Sequence, residues 1–165
     1  PGLFGPCGYG LPSVVGAKIG RPDVPVVGFS GDGAFGIAVN ELTAIGREEW
    51  PAVTQIVFRN YQWGAEKRNS TLWYDDNFVG TELDTQVSYA GIAKACGLQG
   101  VVAKTMDELT EALHTAIKDQ MENGKTTLIE AMINQELGEP FRRDAMKKPV
   151  AVAGVSASDM REQVV

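Results

Sequence analysis

The stretch "VPVVGFSGDGAFGIAVNEL", Val24 to Leu42, joins an apolar, β-branched run to a helical pattern across a Gly-Asp-Gly turn. Residues 24–30 lie between Pro22-Asp23 and Gly31 and read as a buried strand. From Ala34 onward, Phe35, Val39, Leu42 and Ile45 recur at helical spacing, which predicts about three turns of helix ending near Trp50-Pro51. A second strand, "VTQIVFR" at 53–59, stops at Asn60. Strand, helix and strand with short connections form a parallel crossover, expected to be right-handed.

The pattern dissolves over 61–86, "YQWGAEKRNSTLWYDDNFVGTELDTQ". Connections this long in a compact domain are commonly functional or lie at interfaces. Trp63, Trp73, Tyr74 and Phe78 are expected to pack against a neighbouring subunit rather than hold a ligand. Alternation then resumes with a small-residue helix at 87–96 closed by Gly97, and a strand at 100–104. Thr105 and Glu108 have capping-box spacing for a helix whose apolar stripe is Met106, Leu109, Leu113, Ile117 and Met121. "TTLIEAMI" at 126–133 is the last strand. This order predicts an α/β fold, an open parallel sheet with helices on both faces. Residues 1–137 form the expected domain, and 138–165, which show no clear period, an expected C-terminal arm.

Composition narrows the function. A length of 165 residues with 44% hydrophobic and 22% charged residues suits one well-buried core. The net charge of -6 offers no basic field for nucleic acid or anionic lipid. No apolar run approaches the ~20 residues of a membrane span, and the N-terminus lacks a signal-peptide pattern, so a cytoplasmic location is expected. Cys7 and Cys96 lie far apart, outside any CxxC pair, which argues against a disulfide framework or zinc site. The single histidine, His114, falls beside the helical stripe and reads as a partly exposed helix residue. A start at Pro1, inside a Gly-rich segment, suggests a piece of a longer chain.

Ligands of open parallel sheets bind beyond the carboxyl ends of the strands. Asp32 follows the first strand and Asn60 ends the second, with 26 residues between Gly33 and Asn60. If the strands are neighbours, a carboxylate and an amide oxygen meet at one rim. Magnesium takes about six oxygens and commonly draws only one or two side chains from the protein, with phosphate and water supplying the rest. Gly31 and Gly33 would let the backbone approach a phosphate closely, and the amides of Gly33 and Ala34 would donate to it at a helix start. A helix cap beside an unrelated strand-end Asn explains the same residues equally well.

"GDGAFGIAVNELTAIGREEWPAVTQIVFRN" resembles the thiamine diphosphate motif of the decarboxylase and acetolactate synthase superfamily, in its diphosphate-binding domain. The resemblance implies thiamine diphosphate and Mg2+ as cofactors, with Asp32, Asn60 and the backbone carbonyl of Gln62 as metal ligands. Arg59 departs from the pattern, since many relatives carry a second Asn there. "FGPCGYGLPSVVGAKIG" is similar to the segment whose apolar side chain bends thiamine. That implies Cys7 as the wedge and the Gly5 carbonyl as acceptor of the cofactor's amino group. A glutamate that activates the cofactor is expected on a pyrimidine-binding domain for which this chain has no place, so no catalytic residue is assigned within it.

"YQWGAEKRNSTLWYDDNFVGTEL" and "EPFRRDAMKKPV" resemble the branch of the superfamily that converts sulfoacetaldehyde and phosphate to acetyl phosphate and sulfite through the cofactor's ylide. The expected partners are these two substrates and the pyrimidine-binding domain, supplied by another subunit of a homo-oligomer. Lys67, Arg68, Arg142 and Arg143 are candidates for holding the sulfonate and phosphate, equally readable as surface charge. A pyruvate-using acetolactate synthase-like enzyme and a non-catalytic diphosphate-binding module are the alternatives.

Overall fold

The computed structural model describes residues 5–136; the expected arm, with Arg142 and Arg143, lies outside them. Four strands form one sheet in the order β1-β2-β4-β3: β1 (Val27–Gly31), β2 (Thr54–Arg59), β3 (Gln99–Ala103) and β4 (Thr127–Met132). All three pairings are parallel. The two central strands, β2 and β4, are buried on both faces for most of their length, as a parallel sheet covered on both sides requires.

Alternation along these strands feeds two separate cores. Val53, Val57 and Leu128 pack against α1 (Gly10–Gly20), α2 (Asp32–Ile37), α3 (Leu42–Ile45) and α5 (Tyr89–Ala95). Ile56, Ile129 and Ala131 pack against α6 (Met106–Glu122) on the opposite face. The expected open parallel sheet with helices on both faces is what the chain forms.

Four local expectations change. The helix predicted from Ala34 is broken into α2, a 3-10 turn at Val39–Glu41 and α3, because Ala38 leaves helical geometry at φ -111°, ψ 15°. Its apolar face survives the break, with Phe35, Leu42 and Ile45 all buried. The segment 61–86 contains a helix, α4 (Gly64–Trp73), whose polar composition conceals it. The Gly-rich start contains α1, held by Leu11 and Val15 in the first core. On α6 the deeply buried positions are Ala116 and Gln120, while Met106 at the head of the expected stripe is 74% exposed.

Caps behave closer to plan. Thr105 Oγ1 accepts from the Glu108 amide at 3.2 Å, and Glu108 Oε2 accepts from the Lys104 amide, one residue short of the reciprocal capping-box bond. Gly97 at φ +81° ends α5, a conformation that glycine adopts without strain. Lys18 Nζ, buried, donates to the carbonyls of Pro22 and Val24 and to Met121 Sδ, tying the entry of β1 to α6. His114 is exposed on α6. Among the described residues no helix is long and apolar enough to cross a membrane.

Candidate functional site

Parallel pairing of β1 with β2, Gly31 opposite Phe58, carries both chain exits to one rim. There Asp32 is 1% exposed and is held by the backbone that follows β2. Its Oδ2 accepts from the amides of Asn60 at 3.1 Å and Tyr61 at 2.7 Å, and from Arg59 Nη1 at 3.3 Å. Among the described residues its Oδ1 accepts only from the amide of Gly33, at 2.9 Å. The expected meeting of Asp32 with the Asn60 strand end therefore occurs, with Oδ1 the less engaged oxygen.

Asn60 Oδ1 accepts from the Gln62 amide at 3.2 Å, an Asx-type turn that folds the three residues back on themselves. Tyr61 between them sits at φ 60°, a conformation that costs a non-glycine residue on the order of 1 kcal/mol or more. It is over-determined by its amide bond to Asp32, by the Leu83 amide donating to its carbonyl at 2.8 Å, and by the Arg59 guanidinium 4.3 Å from its ring centroid. Non-glycine strain of this kind concentrates at working sites.

The two glycines of the turn prove unequal. A Cβ on Gly33 would lie 2.8 Å from the Trp63 ring, so Gly33 is needed for packing against that indole. A Cβ on Gly31 would meet nothing within 4 Å, so the protein itself does not demand glycine there. The Gly33 amide, expected with that of Ala34 to face phosphate, donates here to Asp32 Oδ1. Trp63 belongs to this packing and not to an outer surface, whereas Trp73, Tyr74 and Phe78 are exposed.

Gly5 and Cys7 join the same neighbourhood. They line a hollow of about 250 Å³ with Phe29 and Ser30 of β1 and Ala34 and Phe35 of α2. Cys7 is exposed toward it, and Gly5 and Gly8 both adopt positive φ in the turn leading into α1. A Cβ on Gly8 would press against Ile37 at 2.9 Å, which fixes this turn against α2. The Gly-rich segment thus shares one cavity with Ser30 and Ala34, which flank the Gly-Asp-Gly turn, although the sequence separates them by more than a helix.

Four further residues complete the rim. Arg59 is fully buried, with Nε 3.5 Å from Glu130 Oε1 and Nη2 donating to the carbonyls of Asp84 at 2.6 Å and Val87 at 3.0 Å. Glu130 Oε2 in turn accepts from Ser88 Oγ at 2.9 Å and from the Ala90 amide at 3.1 Å, at the start of α5. Tyr89 Oη donates to the Asp32 carbonyl at 3.0 Å, and burial pushes its phenol above the ordinary value against the opposing pull of Arg59. Arg59 stood in the sequence only as a departure from a motif. A charged residue inside an otherwise apolar strand is itself a signal, since a buried guanidinium requires carboxylate partners.

One carboxylate, one amide and one backbone carbonyl are a donor set that suits a hard cation, and of the expected ligands Asp32 lies against the backbone of Asn60, whose side-chain oxygen accepts from the Gln62 amide. Nothing in the described residues offers a competing cluster of three His, Cys, Asp or Glu side chains. Lys67, a candidate anion holder, is paired with Glu82 and lies 5.3 Å from the Phe78 ring centroid.

Comparison with known proteins gives the family. The sulfoacetaldehyde acetyltransferase of Roseovarius nubinhibens is 87% identical over 165 residues, covering 100% of this chain and 27% of that protein. The acetolactate synthase isozyme 2 large subunit of Escherichia coli is 31% identical over 114 residues, covering 69% of this chain and 21% of that one. The solved thiamine diphosphate-dependent 4-hydroxybenzoylformate decarboxylase of Rhodococcus jostii superposes with a TM-score of 0.68 at 27% identity, covering 79% of this chain and 24% of its own. The chain thus spans about a quarter of the length of the curated relatives it matches. A family model described as the thiamine pyrophosphate enzyme C-terminal TPP binding domain matches residues 1–131, and the chain belongs to that family.

Proposed function

We propose that this chain forms the magnesium and diphosphate half of the active site in an enzyme that converts sulfoacetaldehyde and phosphate to acetyl phosphate and sulfite. The observation that carries the substrate assignment is the 87% identity over its whole length to a sulfoacetaldehyde acetyltransferase, against 31% over part of it to an acetolactate synthase. The cofactor part rests on the rim where Asp32, Asn60 and Gln62 converge.

Asp32 Oδ1, Asn60 Oδ1 and the Gln62 carbonyl would hold Mg2+, with Oδ2 of Asp32 kept in place by the backbone amides of Asn60 and Tyr61. The Ala34 amide would donate to the diphosphate, and the open space at Gly31 would leave room for it. Gly5 would accept from the cofactor's amino group and Cys7 would pack against its thiamine portion, both from the wall of the shared hollow. When bound, thiamine diphosphate supplies a carbon nucleophile for the aldehyde carbonyl, whose neighbouring carbon–sulfur bond breaks as sulfite leaves and whose acetyl group passes to phosphate. The pyrimidine-binding domain of another subunit would complete the site, in a cytoplasmic homo-oligomer.

A chimera tests this: the chain replaces the matching segment of the Roseovarius nubinhibens enzyme and is assayed for sulfite release and acetyl phosphate. Thiamine diphosphate- and magnesium-dependent formation of both from sulfoacetaldehyde is the expected result. Turnover of pyruvate without sulfite release would replace the reading by the acetolactate synthase one. A folded chimera that binds thiamine diphosphate and turns over neither substrate would refute both.

A further inference from the structure

Asp32 does not face a cation alone. Arg59, on the strand that leads into Asn60, lies between Asp32 at 3.3 Å and Glu130 at 3.5 Å. Its Nη2 donates to the Asp84 and Val87 carbonyls, and its Cζ lies 4.3 Å and 4.9 Å from the Tyr61 and Tyr89 ring centroids. The guanidinium is thereby fixed on several sides and has no route to swing away from an arriving cation.

Two carboxylates and one guanidinium leave this buried cluster with a single net negative charge. That is little for a divalent ion, because protein sites that capture hard dications unaided use several carboxylates. A fixed positive charge within a few ångströms also repels the ion directly, and more strongly in a buried setting than in water. A diphosphate reverses the balance by bringing several negative charges together with its own ligand oxygens.

We propose that Arg59 is a built-in counter-ion, a positioning residue that holds Asp32 while suppressing its capture of bare magnesium, so that metal binding is tied to the diphosphate. The proposal rests on the assignment of Asp32, Asn60 and Gln62 as metal ligands. A purely structural Arg59, anchoring 84–88 to the sheet, would instead lose metal and diphosphate binding together when removed.

The test is calorimetric titration of magnesium into the full chain, with and without inorganic pyrophosphate, for wild type, Arg59→Gln, Arg59→Lys and the Arg59→Gln/Glu130→Gln pair. Folding is followed by circular dichroism. Arg59→Gln is expected to bind magnesium alone at least about tenfold more tightly, with the enhancement by pyrophosphate shrinking by the same factor, while Arg59→Lys, which keeps the charge, stays within about threefold of wild type. Should Arg59→Gln fail to fold, the paired variant, which keeps the single net negative charge but removes the guanidinium beside Asp32, is expected to bind magnesium alone more tightly than wild type by a smaller factor. Unchanged or weaker binding of bare magnesium in whichever variant folds overturns the counter-ion role and leaves the metal site standing. Absence of pyrophosphate-linked magnesium binding in folded wild type overturns both.

Discussion

The two ends of the same sheet solve the same problem differently. Where the strands begin, Lys18 is the buried charge and the other backbone ends are closed by neutral side chains: Gln120 Oε1 accepts from the Val26 amide at 2.7 Å while its Nε2 donates to the Val26 carbonyl and to Thr54 Oγ1. Thr126 Oγ1 accepts from the Val53 amide at 3.1 Å, and Thr127 Oγ1 donates to Gln99 Oε1 at 2.7 Å. Where the strands end, the rim is charged and built around Arg59, Asp32 and Glu130. Among the described residues, three of the four buried side-chain atoms without a hydrogen-bond partner collect there, Arg59 Nε, Gln62 Oε1 and Thr81 Oγ1, beside the positive φ of Tyr61, while the fourth, Gln55 Oε1, lies near the start of β2. A rim that only closes a fold satisfies most of its groups with neutral partners. One that keeps charge, strain and spare acceptors is arranged for something that arrives later.

Substitutions at the two rims should therefore separate binding from stability. The largest effect is expected for Asp32→Ala, which strips Arg59 of one carboxylate and removes the metal ligand. Magnesium-dependent pyrophosphate binding should vanish by calorimetry, and stability should fall by about 3 kcal/mol in denaturant unfolding. Retained binding would end the correspondence between the charged rim and the site.

Gln120→Ala probes the opposite rim. It leaves the Val26 amide without its acceptor in a half-buried position, while the Val26 carbonyl keeps the Thr54 amide, and should cost about 1 kcal/mol, with magnesium-linked pyrophosphate affinity unchanged in the folded protein. A change in that affinity would mean that the two ends are coupled through the sheet.

Gly33→Ala brings the comparison inside the Gly-Asp-Gly turn. The new methyl group meets the Trp63 ring, for an expected loss of about 1–2 kcal/mol and a shift in tryptophan fluorescence. Gly31→Ala should leave stability within about 0.5 kcal/mol while weakening pyrophosphate binding, because its methyl group projects into open space. Equal loss of stability in both would refute the division of labour between the two glycines.

Tyr89→Phe is expected to leave pyrophosphate binding unchanged and to cost only about 1 kcal/mol in stability, from the lost bond to the Asp32 carbonyl. Ring packing against Phe35, at 5.1 Å between centroids, is retained. A much larger loss would place the hydroxyl among the essential supports of Asp32.

The chain's own letters determined the alternation of strands and helices, the parallel sheet and the meeting of Asp32 with Asn60. These follow from short-range periodicity and from one spacing, and each is written within a few tens of residues. Helix α4 escaped because its residues carry no apolar period, and the break at Ala38 escaped because the buried face continues across it. Which glycine serves packing, and what Arg59 touches, were decided only by the folded chain. Arg59 finds Asp32 on β1's exit, Glu130 on β4 and the carbonyls of 84–87 between them, partners spread over some hundred positions. A buried charge announces that it needs partners, but desolvation is paid back only in three dimensions, where packing chooses which carboxylates stand within reach.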